Sequence, residues 1–225
     1  MRNQRGAALI EFAMVGPIVL ALGLYGVELG NQALVTLRVN QIATSVADNA
    51  SRMGELSPTN MEQVREADML DVLHAARLQG AGIKLGTYGR ITVSSLENIQ
   101  QRYDSAPVQR IHWQRCMGQQ QSGYYGSSYG RTATYAGMSD RPNEAGTLAP
   151  IGMGDRGREI NAPPGSGVIV VEINYQYQPL VPAWLAKPFR IHTVASMIVR
   201  NNRDFQQIYN PLWLVTPSYC HVYEA

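Results

Sequence analysis

One long apolar run near the start of the chain passes without a break into an amphipathic pattern. No charged residue occurs from Phe12 to Val27, and the longer stretch 7–29 contains only Glu11 and Glu28 as charged residues. A helix over 7–29 would be roughly 34 Å long, which is enough to cross a hydrocarbon core of about 30 Å. This pattern predicts a transmembrane helix.

Apolar residues then recur at helical spacing over residues 30–56, which predicts an amphipathic extension of the same helix. The members of this stripe are Val35, Val39, Ile42, Val46 and Met53. Such a stripe is typical of a face that packs on a core, so we expect the extension to lie on a globular domain at 57–225. Ser57 and Pro58 are expected to end the helix.

Residues 57–225 show one further helical pattern and then the period of strands. Thr59 and Glu62 have capping-box spacing, which predicts a helix from Thr59 to about Gln79, ended by Gly80. Alternating patterns predict four strands, at 90–96, 108–115, 168–177 and 189–200. The predicted fold class is α+β, with a long N-terminal helix, a short helix and an antiparallel sheet of about four strands.

A segment rich in glycine, serine and tyrosine, residues 117–167, separates the second predicted strand from the third. Structureless insertions of this length are uncommon in compact domains and are usually functional or disordered. Tyrosines on a flexible glycine-serine frame suit contact surfaces. A solvated loop with no special role fits the pattern equally well.

Charges around the apolar run predict its orientation. Arg2 and Arg5 precede the run, and Glu28 lies at its far end. The positive-inside rule therefore places the N-terminus in the cytoplasm and the C-terminal domain in the periplasm, with one span in the inner membrane. A secretory signal peptide would have a shorter apolar core. A plain signal-anchor fits the hydropathy but leaves Glu11 unexplained, because an ionisable group at the bilayer centre costs roughly 2.5–3.5 kcal/mol, and less near the edge.

The residues around Glu11 resemble the leader of type IV prepilins. Cleavage between Gly6 and Ala7 would leave Glu11 as the fifth residue of the mature chain and Phe12 as the sixth, similar to the glutamate-tyrosine pair of the Flp/Tad branch. The resemblance implies a leader at 1–6 that a prepilin peptidase removes. It also implies that Glu11 neutralises the new amine of Ala7, within the molecule or in a neighbouring subunit, during assembly. Such a pair is far cheaper in apolar surroundings than either charge alone.

The strand region resembles TadE/TadG-like proteins, the minor pilins or pseudopilins of the Flp/Tad pilus. The resemblance rests on the stretch from Val170 to Leu180, the stretch from Ile191 to Arg200, and the segment Trp113-Gln114-Arg115-Cys116. It implies that the protein is a minor pilin in pilus assembly, whose partners are other pilins, Tad inner-membrane platform proteins and the lipid bilayer. The alternatives are a membrane-anchored periplasmic binding or scaffold protein outside any filament and, third, an anchored envelope hydrolase.

Gly16 and Pro17 lie inside the predicted span. Pro17 removes the helix hydrogen bond to the carbonyl of Ala13, which predicts a kink. Membrane helices tolerate proline for structural reasons alone. The other interpretation is a local loss of helical structure that lets pilin helices pack in a filament. The sequence does not distinguish these two interpretations.

Cys116 and Cys220 are the two cysteines of the chain. If the C-terminal part is exported, a single disulfide is the expected state of this pair. A bridge between them would pin the C-terminal tail to the sheet and stabilise the domain by a few kcal/mol.

Composition and motifs give no indication of nucleic-acid binding, metal binding or catalysis. The net charge is +2 and the basic residues are scattered, which argues against nucleic acid. Gly152, Gly154 and Gly157 match a dinucleotide fingerprint formally, but they lie in a predicted loop, so we treat the match as chance. No nucleophile-base set is recognisable, and we expect neither an enzyme nor a cofactor. The histidines, which show no metal-ligand spacing, are His74, His112, His192 and His221.

Overall fold

The computed structural model describes residues 4–121, 123–182, 184–211 and 215–224. Its longest element is the helix α1 (Gln4–Arg52), which has 49 residues and continues through Pro17 without interruption. At 1.5 Å per residue this helix is about 73 Å long. The apolar run and its amphipathic extension therefore form one helix, as the pattern predicted.

The end of α1 falls at Arg52, short of the predicted boundary at residue 56 and before Ser57 and Pro58. Gly54 follows with a backbone φ of 142°, a conformation that side-chain-bearing residues rarely adopt. The glycine therefore turns the chain away from the helix axis before the predicted break is reached.

Several short elements connect α1 to the sheet. The strands β1 (Glu55–Leu56) and β2 (Glu62–Gln63) form an antiparallel pair. They are followed by α2 (Glu66–Gln79), a 3₁₀ turn (Ala81–Ile83) and α3 (Leu85–Tyr88). Gly80 ends α2, as predicted.

The predicted helix start at Thr59 is wrong. Glu62 lies in β2, and its backbone N–H donates to the carbonyl of Asn202 at 2.8 Å. The helix α2 begins only after Arg65, whose backbone N–H donates to the carboxylate of Asp68 at 3.1 Å. A tertiary contact with the chain near residue 202 therefore overrides the local capping pattern.

The main sheet has five strands, and each neighbouring pair is antiparallel. The strand order is β5-β4-β3-β6-β7. The α+β class is confirmed, with one short strand more than expected. The strands are β3 (Gly89–Ile99), β4 (Val108–Met117), β5 (Thr147–Leu148), β6 (Ser166–Gln176) and β7 (Arg190–Ile198).

The C-terminal half of α1 packs on one face of this sheet, against β6 and β7. Its predicted apolar stripe forms the contact, since Val39, Ile42 and Val46 are buried. Small residues at intervening positions, Ala43 and Ala47, are also buried. They let the helix backbone approach the sheet closely.

The segment 117–167, whose order the sequence left open, covers the opposite face of the sheet. It contains a 3₁₀ turn (Pro142–Glu144) and the strand β5. Three of its apolar side chains, Ala149, Met153 and Ala162, are buried in a second core cluster on that face. These residues follow no helical or strand period, so only the tertiary structure shows that they are core residues.

Candidate functional site

The exposed apolar surface of α1 is concentrated at its N-terminal end. Phe12 is 75% exposed and Leu20 is 69% exposed. The helix is long and apolar enough to span a membrane, and its most apolar stretch is not buried in the protein. A core helix of a soluble protein would be mostly buried, and soluble surfaces rarely expose apolar patches of this size. The length, composition and exposure together indicate a membrane anchor.

The predicted cleavage and assembly residues lie at the start of this exposed end. Gly6 and Ala7 have helical backbone, and their environment is outside the described part of the structure. Glu11 and Phe12 are exposed on the helix surface. Among the side chains that the structure describes, none bonds to the Glu11 carboxylate. The helix also continues through Gly16, so a break at Gly16-Pro17 is not part of this structure.

Glu28 is the point at which α1 first enters the folded domain. Its side chain is only 3% exposed. The hydroxyl of Tyr177 donates to Oε1 at 2.7 Å, and the backbone N–H groups of Leu180 and Val181 donate to Oε2 at 2.9 and 3.3 Å. Asn31, one turn further along the helix, donates to the Tyr177 hydroxyl at 2.7 Å. This cluster, which we call the Glu28 junction, fixes α1 to the chain that leaves β6.

The Glu28 junction keeps Tyr177 as a neutral hydrogen-bond donor. Burial raises the pKa of the Tyr177 hydroxyl, and the hydrogen bond to Glu28 raises it further. The ring of Phe189 lies 5.1 Å from that of Tyr177, and the backbone N–H of Tyr177 donates to the Phe189 carbonyl at 2.8 Å. Sequence reasoning treated Glu28 only as a charge at the far end of the span. The one available signal was an acidic residue directly at the end of an apolar run.

The other end of α1 is held by Arg203. One guanidinium nitrogen donates to the carbonyls of Ala50, Ser51 and Met53 at 3.3, 3.0 and 2.9 Å. The residue is 4% exposed, and burial lowers the pKa of its guanidinium to about 10, so it stays charged at neutral pH. A cation at a helix C-terminus is favourable because the free carbonyls carry partial negative charge. The helix is thus fixed to the domain at both Glu28 and Arg203.

A buried ion pair joins α2 to β4. Arg115 and Glu66 are 0% and 1% exposed, and Nε of the arginine donates to both carboxylate oxygens, at 3.1 and 2.9 Å. A second guanidinium nitrogen of Arg115 also contacts the Glu66 carboxylate. Breaking one partner of such a pair is strongly destabilising because the other charge stays buried. The pair therefore fixes α2 on the end of β4 that carries Cys116.

Cys116 and Cys220 lie at disulfide distance, with Cα atoms 4.7 Å apart, which fits the hypothesised bridge. Further contacts hold the same tail. The backbone N–H of Cys116 donates to the Ser218 carbonyl at 2.8 Å, and that of Gly118 donates to the Glu224 carbonyl at 2.7 Å. Residues 212–214 of the same tail lie outside the described residues.

Arg90 is a tail contact that sequence reasoning missed. Its guanidinium donates to the carbonyls of Val222 and Cys220 at 2.8 and 2.7 Å, and it lies 4.5 Å from the ring centroid of Tyr223. Burial lowers the pKa of this guanidinium from its usual value. No local pattern around Arg90 indicated this role, because its partners lie more than a hundred residues later in the chain.

Two polar clusters inside the domain have structural explanations. In the first, Ser95 donates to Oε1 of Glu97 at 2.6 Å, and Nδ1 of His112 lies 2.8 Å from Oε2. The carboxylate lies between the serine and the histidine, whereas a hydrolytic triad needs the histidine against the nucleophile. All three side chains are buried. This order and burial argue against a triad at this place.

The second cluster ties the tyrosine-rich part of segment 117–167 to the sheet. Oε1 of Glu172 accepts from the backbone N–H of Ser128 at 2.8 Å, and the amide of Asn174 donates to the carbonyls of Tyr125 and Gly126 at 3.1 Å each. Nδ1 of His192 donates to Oδ1 of Asn174 at 2.8 Å. Over the described residues, no group of three or more acidic, cysteine or histidine side chains could hold a metal ion.

A cavity of about 310 Å³ lies between segment 117–167, the sheet and the C-terminal tail. Its walls include Arg90, Gln114, Arg131 and Tyr223, together with the cysteine pair. The amide of Gln114 is already bonded, to Ser94 at 2.9 Å and to the Gly130 carbonyl at 3.0 Å. The Gln114 amide group is therefore already satisfied within the protein.

The glycine pattern at 152–157 lies in a turn before β6, with positive φ at Gly152, Gly154 and Gly157. Met153 pairs with Ile160 across this turn, and the next element that the structure describes is the strand β6. The pattern thus lacks the strand-to-helix context of a dinucleotide site. Compared with known proteins, the chain matches no family model, no curated protein and no solved structure.

Proposed function

We propose that this protein is a minor pilin or pseudopilin that takes part in assembly of a Tad (Flp) type IV pilus. The observation that carries the proposal is one continuous helix with two different surfaces, apolar and exposed before Glu28 and packed on the sheet after it. Such a helix is at once an anchor and an assembly surface. The folded domain is then carried rigidly on the end of that helix.

The continuity of α1 supports an anchor over a removable signal peptide. The same helix that carries the apolar run supplies the buried residues Val39, Ile42 and Val46 to the core. Residues from Glu28 onward are already part of the folded domain. Cleavage at the far end of the apolar run would therefore cut beside the Glu28 junction, whereas cleavage at Gly6-Ala7 leaves the whole packed helix intact.

Glu11 provides the link to assembly. In a bilayer its carboxylate would need a partner, since a charge at the centre costs roughly 2.5–3.5 kcal/mol and a charge near the edge still costs part of that. Removal of residues 1–6 would create an amine at Ala7, one helical turn away, and residues four apart lie on the same helix face. In our proposal the amine of this chain or of a neighbouring subunit neutralises Glu11.

In the proposed pathway the chain is anchored in the inner membrane before assembly, with its N-terminus in the cytoplasm and its sheet domain in the periplasm. A prepilin peptidase removes the leader, and Tad platform proteins and other pilins receive the mature subunit. The Arg2 and Arg5 charges before the span support this orientation. Sequence resemblance supports the choice of the Tad branch.

A filament assay tests the proposal. Filaments sheared from cells that make this protein are expected to contain the chain, and the Glu11→Ala variant should be processed normally but reach the filament fraction at least several-fold less. Glu11→Asp, which keeps the charge, is the matched control and should retain most of the incorporation. Normal incorporation of Glu11→Ala would remove the role assigned to this residue.

The alternative is a single-pass anchored binding or scaffold protein, and the cavity beneath segment 117–167 is the observation in its favour. In that case the chain would stay in the membrane fraction and would be missing from sheared filaments. Its anchor could also be replaced by an unrelated transmembrane helix without loss of function. A pilin would lose assembly on such a replacement.

A further inference from the structure

An exposed apolar loop lies beside the point where α1 leaves its apolar run. The loop comprises residues 178–182 and 184–189, between β6 and β7, and we call it the 178–189 loop. Within it Trp184 is 83% exposed, the highest value among the large hydrophobic side chains that the structure describes, and Leu180 is 65% exposed. Phe189 is 40% exposed. Lys187 is the one charged residue of the loop.

The Glu28 junction fixes the position of this loop along the axis of α1. Oε2 of Glu28 accepts from the backbone N–H groups of Leu180 and Val181, at 2.9 and 3.3 Å. Residues 8 to 28 span about 30 Å of helix, which is the thickness of a bilayer's hydrocarbon core. If the apolar run fills that core, Glu28 lies at its outer boundary. Leu180 and Val181 then lie at the level of the lipid headgroups.

Trp184 cannot lie far from that level. It follows Leu180 by four residues, which limits the distance between their Cα atoms to about 14 Å even for an extended chain. The chain also turns back, because the backbone N–H groups of Leu185 and Ala186 both donate to the carbonyl of Pro182, at 2.8 and 3.2 Å. The exposed indole is therefore held within reach of the membrane interface.

The two ends of the loop are also closed on each other. The backbone N–H of Tyr177 donates to the carbonyl of Phe189 at 2.8 Å, and their rings lie 5.1 Å apart. The loop is thus a fixed projection from the Glu28 junction. An exposed tryptophan on a fixed projection would leave a large apolar surface in water unless something covers it.

We propose that the 178–189 loop is a second membrane contact, which docks on the interface of the bilayer that α1 spans. Trp184 and Leu180 enter the zone between the headgroups and the upper acyl chains, where amphipathic aromatic rings are favoured. Lys187 lies beside the lipid phosphates. The position of the 178–189 loop beside the end of the apolar run favours lipid as its binding partner. This inference rests on the proposed anchoring of α1. Two contacts, one spanning and one interfacial, would set the tilt of the domain over the membrane.

Fluorescence quenching by lipid tests this contact with the full chain in phosphatidylcholine vesicles. Lipids brominated near the headgroup or deep in the acyl chains quench tryptophans at the matching depth. Trp113 is buried in the core, and both Trp113 and Trp213 remain in every variant. We expect shallow bromines to quench the wild type more than deep bromines do, and Trp184→Phe to lose most of that shallow quenching.

The matched control places an exposed tryptophan away from the membrane. Leu56 is 63% exposed and lies beyond the C-terminal end of α1, which extends about 36 Å past Glu28. Leu56→Trp in the Trp184→Phe background should not restore the quenching. Flotation of the vesicles reports insertion of α1 separately.

A chain that floats with the vesicles but whose Trp184 is not quenched overturns the contact and leaves the anchor standing. A chain that fails to float overturns both. Restored quenching by Leu56→Trp would also overturn the proposal, because the effect would then not depend on the position of the 178–189 loop.

Discussion

Two glutamates of α1 have opposite surroundings. Glu28 is buried and accepts three hydrogen bonds from the chain beyond β6. Glu11 is exposed on an apolar surface and has no partner among the described residues. The interactions of Glu28 are therefore satisfied within one chain, whereas Glu11 is placed to receive a partner from outside or from a newly made N-terminus.

Removal of the Glu28 carboxylate should loosen the attachment of α1 to the domain. Glu28→Ala leaves the Tyr177 hydroxyl and two backbone N–H groups without their acceptor, and each unsatisfied buried donor costs about 1–3 kcal/mol. We expect a lower unfolding temperature, measured by near-UV circular dichroism on the full chain in detergent. Asp71→Ala, at an exposed position of α2, is the control and should change little. Equal effects of the two substitutions would contradict the assigned role of Glu28.

Alkaline pH should destabilise the domain through Tyr175. Its hydroxyl donates to the Ile83 carbonyl at 2.8 Å, and burial raises its pKa to about 12. Between pH 10 and 12 the unfolded chain loses this proton and the folded chain keeps it, so the free energy of unfolding falls as pH rises.

Urea unfolding at pH 8 and pH 11 measures this effect. Tyr175→Phe should start from a somewhat lower stability, because it lacks the bond to Ile83. It should then lose less stability than the wild type between the two pH values. An identical loss in both proteins would show that Tyr175 is not among the groups responsible.

At the scale of elements, the sequence patterns located the main helices and strands better than their boundaries. The run of β-branched residues from Val168 to Ile173 placed β6 correctly, and the structure buries both faces of that strand. The capping box at Thr59 failed because a contact with Asn202 draws Glu62 into a strand. Local spacing carries no information about that partner.

The candidate site could be predicted only in part, because local sequence patterns carry no information about contact partners far away in the chain. The apolar run of α1 is visible in the order of residues alone. Glu28, Arg203 and Arg90 act on partners that lie about 130 to 150 residues away in the chain. Segment 117–167 shows the converse case, since its buried Met153 contributes to a core cluster without any periodic pattern around it.

The C-terminal tail should depend on the cysteine pair. A bridge across 104 residues restricts the unfolded chain strongly, and its loss typically costs about 2–5 kcal/mol. The Cys116→Ser/Cys220→Ser double variant should melt at a lower temperature. Its Gly118 amide, which donates to Glu224, should exchange with deuterium faster, while amides between β3 and β6 stay protected.

Reduction of the wild type offers an independent check on the same element. Dithiothreitol should reproduce the lower melting temperature and should leave the double variant unchanged. A wild-type melting temperature that does not respond to reduction would contradict a stabilising bridge.

At the scale of the whole molecule, α1 divides the protein into a part that faces lipid and a part that is folded. The apolar half packs against no other residue that the structure describes, and the other half forms one layer of the α+β domain. The Glu28 junction lies at the boundary between them. The domain cannot rotate freely relative to the anchor, because α1 is itself part of the domain core.

This rigid connection has a consequence for the proposed assembly. When subunits pack through their apolar helices, the sheet domains must follow with a fixed orientation. Segment 117–167 then faces away from α1, since it covers the opposite side of the sheet. In our proposal that surface is the one available to contact other components.

The state of the N-terminus tests the central claim most directly. Intact-mass analysis of protein isolated from its native membrane, with and without prepilin peptidase activity, reads that state without assuming any partner. We predict a mature chain that begins at Ala7 when the peptidase is present, and a full-length chain when it is absent or when Gly6 is substituted. A chain that keeps Met1 or Arg2 in the presence of the active peptidase would contradict the account.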